Sequence, residues 1–74
     1  MFIDEFKEEI VNTLKKYFES QIEKHKLNID VLMYKGVGVA EHPDTMETIE
    51  KELEQMANYN DKLDVLSKYF EEVK

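Results

Sequence analysis

The chain has no cysteine, no arginine, one proline and two glycines in 74 residues. Without cysteine, neither a disulfide nor a thiolate metal site can staple so small a domain. Arginine is the preferred bidentate partner of phosphate and guanine, so its absence argues against nucleic-acid recognition. No stretch approaches the ~20 apolar residues of a membrane span. The opening Met1-Phe2-Ile3-Asp4-Glu5 carries acids where a signal peptide has a basic segment and an apolar run. The expectation is a soluble, cytoplasmic protein with no nucleic-acid and no membrane partner.

What is present is acid. Seventeen Asp and Glu against ten Lys give a net charge of −7, spread as −1 over residues 1–35 and −6 over residues 36–74. The second half repels phosphate backbones and anionic lipid.

Both glycines and the proline fall in Gly36-Val37-Gly38-Val39-Ala40-Glu41-His42-Pro43-Asp44. The stretches on either side read as helices, so the chain is expected to fold back on itself about this loop. Before it, Ile3, Phe6, Ile10, Leu14, Phe18 and Ile22 recur in steps of three and four, with Val11 and Tyr17 beside them. That is helical spacing, and period-two alternation is absent. At ~100° per residue these side chains cover roughly 200° of the helix, enough to touch two neighbours. The opposite side, with Glu5, Glu8, Glu9, Asn12, Lys16, Glu19 and Glu23, is a solvated face. Leu27–Tyr34 holds β-branched residues and also fits a short strand, but its only partner would be Val37–Val39, and two short strands are marginal alone. The helix is therefore expected over about 3–34, with Gly36 as its C-terminal cap.

The second helix is expected over about 44–72. His42 or Asp44 can cap it, with Pro43 at the first helical position in one case and a capping-box spacing of Asp44 to Glu47 in the other. A heptad seam follows at Met46, Ile49, Leu53, Met56, Asn60, Leu63, Ser67 and Phe70. Tyr59, Leu66 and Val73 offer an alternative seam after Met56, and Asn58–Asp61 could break the helix. A buried Asn60 would fix register and oligomeric state at some loss of stability; an Asn60 turned to solvent would not.

Chains this short gain only about 3–5 kcal/mol from one core, so oligomerisation is the expected route to stability. The fold expected is all-α: one helical-hairpin domain over residues 1–74, loop 35–43, pairing into a dimeric four-helix bundle. Its interface is expected to use Phe6, Ile10, Leu14, Phe18, Ile49, Leu53, Met56, Asn60, Leu63 and Phe70.

Chemistry is sparse. Glu41, His42, Asp44 and Glu47 are the best candidate metal ligands, since His with carboxylates suits zinc or manganese, although capping accounts for Asp44 and Glu47 without a metal. Ser20 and Ser67 lack an adjacent His, and His25, on the margin of the apolar face, reads as a packing residue. No catalytic residue and no cofactor is expected. Glu47-x-x-Glu50 with Asp61-x-x-Asp64 resembles the paired acidic motifs of all-α nucleotide pyrophosphatases, which implies magnesium, but the likeness rests on four residues in a chain with 17 acids, and the chain is short for that family's helical core.

Val37–Asp44, followed by Ile49-Glu50-x-Glu52-Leu53 and Asp61-Lys62-Leu63-x-Val65-Leu66, resembles small helical proteins of T4-like tailed phages of the marine cyanophage type. The likeness covers about residues 37–66. It implies expression in an infected bacterial cell and a host or virion protein as partner. The function expected is a non-enzymatic helical oligomerisation or protein-interaction module. The alternatives are an acidic mimic presenting Glu47, Glu50, Glu54, Asp61 and Asp64 to a basic host protein, and a metal-dependent enzyme using the loop and second-helix carboxylates.

Overall fold

A computed structural model describes residues 2–36 and 44–71, and side chains within 5–34 and 44–71. Two helices account for all of these residues but Glu71: α1 (Phe2–Gly36) and α2 (Asp44–Phe70). At 1.5 Å per residue they are about 52 and 40 Å long. They pack antiparallel as a hairpin measuring 59 × 17 × 16 Å.

The local causes are those in the sequence, with small shifts at the ends. α1 runs two residues past Tyr34 to Gly36, and Leu27–Tyr34 is helical, so the strand reading is wrong there. α2 stops at Phe70 rather than near 72 and passes through Asn58–Asp61 without a break. Asp44 and Glu47 lie in its first turn and Lys68 in its last, each on the side the helix dipole favours. The Thr48 hydroxyl donates to the Asp44 carbonyl at 2.8 Å, one turn back.

The side chains withdrawn from solvent define the contact. On α1 they are Val11, Lys15, Phe18, Ile22, His25, Ile29 and Leu32, in steps of four and three, with Gln21 half-buried beside Ile22. On α2 the matching line is Thr45, Ile49, Glu52, Met56, Tyr59, Leu63 and Leu66. Steps alternating between three and four keep one narrow stripe against the partner helix. The α2 line departs from the expected seam: Ile49, Met56 and Leu63 are common to both, Thr45, Glu52 and Tyr59 replace Met46, Leu53 and Asn60, and Leu66 is buried beside a half-buried Ser67. Tyr59 and Leu66 belong to the alternative seam. Asn60 is exposed, so it sets no register between α1 and α2.

The resulting core is thin. Val11, Ile29 and Leu66 are its buried apolar residues, and none of the described side chains is fully enclosed. The chain exposes 6294 Å², where a compact folded monomer of its mass exposes about 4,800 Å². Its radius of gyration is 17.0 Å, against about 11 Å for a compact domain of this length. Two helices alone cannot enclose apolar surface from all sides.

Candidate functional site

Two features stand out, a polar pin inside the hairpin and an apolar face outside it. The pin centres on His25, which is buried although polar. Its Nδ1–H donates to Glu52 Oε1 at 2.6 Å. The same oxygen accepts from Asn28 Nδ2 at 3.0 Å. These bonds, His25 first and Asn28 second, hold the Glu52 carboxyl below its ordinary range. An ionised carboxylate can only accept, so Nδ1 carries the proton in this contact. The imidazole stacks on Tyr59 with ring centres 6.1 Å apart and planes 18° from parallel. Tyr17 meets Tyr59 edge-on at 6.1 Å, and its hydroxyl is pushed up from the ordinary tyrosine value, chiefly by bonding to Tyr59.

A second polar contact closes the open end of the hairpin. Lys15 Nζ donates to Glu71 Oε2 at 2.7 Å. The pairing raises the lysine pKa and lowers that of Glu71, to which Ser67 also contributes. Thus each ionisable side chain on the inner line of α1 meets an acid from α2. Among the described residues, no buried side-chain polar atom lacks a partner.

The apolar face lies beside the seam at the open end. A shallow groove there is lined by Leu14, Phe18, Lys62, Val65, Leu66 and Phe70, with Asp61 at its rim. Leu14 is continued along α1 by Ile10 and Phe6, one turn apart, and by Tyr17; Val65 is continued along α2 by Tyr69. Phe6 is 63% exposed, Ile10 46%, Tyr17 50% and Tyr69 65%. Such a contiguous apolar surface is uncommon on a chain that works alone.

The expected site residues fall in different places. Of the expected interface, Phe18, Ile49, Met56 and Leu63 are half-buried within the hairpin, whereas Phe6, Ile10, Leu14, Leu53, Asn60 and Phe70 are exposed. Glu41 and His42 lie outside the described residues; Asp44 and Glu47 are exposed on the first turn of α2. Among the described residues, no three His, Asp or Glu side chains converge as a metal site. Glu47–Glu50 and Asp61–Asp64 are exposed and lie on one unbroken helix. Their corresponding positions are about 21 Å apart along its axis, too far to share a metal ion. His25 packs on Tyr59, as a packing residue would, but its bond to Glu52 was not legible in the sequence, because Glu52 lies one residue off the expected seam at Leu53.

No helix among the described residues is long and apolar enough to cross a membrane. No protein-family model, curated protein or solved structure matches this chain.

Proposed function

We propose that this chain is a non-enzymatic helical interaction module that works by pairing with a second copy of itself. The observation that carries the reading is the surplus of exposed surface: 6294 Å² on the hairpin, roughly 1,500 Å² more than a compact monomer of its mass exposes. A standard protein interface removes about 800 Å² from each partner and a permanent one more. Covering the apolar sides of the hairpin with another hairpin gives the layered core that two helices lack. The resemblance to tailed-phage proteins would place this assembly in an infected bacterial cell.

The test is thermal unfolding followed by circular dichroism across a wide range of protein concentration. Folding coupled to association makes the midpoint rise with concentration. A midpoint independent of concentration, with the chain helical throughout, would overturn the reading.

One observation favours acidic mimicry as a second reading. Glu47, Glu50, Glu54, Asp61 and Asp64 are all exposed, and their spacing puts them on the side of α2 turned away from α1. A basic protein held by that face would be released by salt.

A further inference from the structure

We infer that a second copy of this chain covers the apolar face at the open half of the hairpin, leaving the loop-end half outside the interface. This rests on the self-association reading and specifies the surface. The face is formed by Phe6, Ile10, Leu14 and Tyr17 of α1 with Val65 and Tyr69 of α2, over the groove floored by Phe18 and Leu66.

Charge selects this surface. Two copies of a chain carrying −7 repel each other, so the contact has to avoid opposed carboxylates. At ~100° per residue, the side of α1 bearing Phe6, Ile10, Leu14 and Tyr17 also carries Thr13, Ser20, Gln21, Lys24 and Asn28, and no acid. The acids of α1 at Glu5, Glu8, Glu9, Glu19, Glu23 and Asp30 lie on its other sides. In a two-fold pair each surface meets itself, so a residue meets its counterpart's neighbours reciprocally. The groove carries Lys62 and, at its rim, Asp61, an opposite-charge combination that such a pairing can match across the interface.

Polarity sets the extent. Past Tyr17 the same side of α1 continues as Ser20, Gln21, Lys24 and Asn28, and an apolar residue, Val31, returns only beyond them. On α2, back from Lys62 and Val65, it continues as Asn58, Gln55, Glu54, Lys51, Thr48 and Glu47, polar throughout and acidic along the line of Val65. The contiguous apolar stretch of this side therefore ends about half-way along the hairpin, and the exposed apolar residues nearer the loop, among them Leu27, Met33 and Met46, stand apart from it. Leu53, 51% exposed, lies on the opposite flank of the Ile49–Met56–Leu63 line from Lys62, outside this face. The assembly is a four-helix core at the open ends with loop ends free, rather than a bundle along the whole length.

Sedimentation velocity on Ile10→Glu, Tyr69→Glu and the control Leu53→Glu tests this. All three side chains are substantially exposed in the hairpin, so the single chain should stay helical by circular dichroism. Should Ile10→Glu lose helix, Phe6→Glu takes its place. Expected is a dimeric wild type, weakening of the dimer by at least about 30-fold in Ile10→Glu and Tyr69→Glu, since each puts a carboxylate into an apolar contact, and an unchanged dimer in Leu53→Glu. A wild-type dimer that Leu53→Glu disrupts, alone or together with the others, would overturn the surface assigned here while leaving self-association standing. So would a dimer that resists all three. A monomeric wild type would overturn both.

Discussion

His25 and Glu52 are joined at 2.6 Å across the hairpin, at a point where both helices would otherwise present apolar side chains to each other. Lys15 and Glu71 do the same near the open end at 2.7 Å. Both pairs form together only in the antiparallel register seen here. Sliding one helix by a turn would leave the buried imidazole against an apolar neighbour and the carboxylate without its donor. Polar groups at seam positions thus work against misregistration, a role known for single polar residues in coiled coils. By contrast the Lys26–Asp30 pair, 3.5 Å apart on one exposed helix face, contributes little.

Replacing Glu52 by Gln should lower stability at neutral pH, because an amide oxygen still accepts from His25 but carries no charge. Glu52 has a depressed pKa in the folded chain, from an ordinary value of 4.5. Its stabilisation is present in full above that ordinary range and is lost as pH falls through the depressed value. The urea midpoints of Glu52→Gln and wild type should therefore differ at pH 7 and converge in strong acid. Comparing the two proteins cancels the relief of acidic self-repulsion that low pH brings to both.

The alkaline limb has its own cause. The pKa of Tyr17 is raised from 10.0 through Tyr59, and that of Lys15 from 10.5 through Glu71. Raised values stabilise below the ordinary pKa and lose that stabilisation as pH rises through the folded one. Tyr17→Phe should flatten the fall in stability above pH ~10, measured by urea unfolding along an alkaline series.

The inner line of α2 can be tested by adjacent substitutions. Tyr59→Ala should destabilise by about 2 kcal/mol, since its ring packs against Tyr17, Phe18 and His25. Asn60→Leu should change hairpin stability by less than about 0.5 kcal/mol, as a surface substitution does. On α1, Ile29→Ala should cost about 2–3 kcal/mol, the low end for a residue in so thin a core. Denaturant midpoints measured at one low protein concentration compare them.

These contrasts show what the sequence could and could not convey. The helices were legible because steps of three and four run unbroken on both sides of the Gly36–Pro43 stretch. The face of α2 was not, because two seams overlap there. Ile49, Met56 and Leu63 belong to both, and counting apolar residues favours the line through Leu53 over the one through Glu52. Glu52 takes the inner position because His25 awaits it on α1, a relationship that appears only when the two helices are aligned. The sequence left Asn60 open between a buried register-setting role and one turned to solvent; with Tyr59 turned inward, it faces out. Phe6, Ile10 and Leu14 were read as interface residues from periodicity, and the hairpin leaves all three exposed.

Salt should strengthen association. Each copy carries −7, and screening that repulsion lets the apolar contact act with less opposition. The dimer dissociation constant should fall as sodium chloride rises from low to physiological concentration. Dissociation on adding salt would point instead to an interface held by opposite charges.

Sedimentation equilibrium of the wild-type chain, from low micromolar to near-millimolar concentration, tests self-association most directly. Expected is a reversible shift from the 8.8 kDa monomer towards twice that mass, with helicity rising alongside. A single 8.8 kDa species at every concentration, fully helical at the lowest, would contradict it.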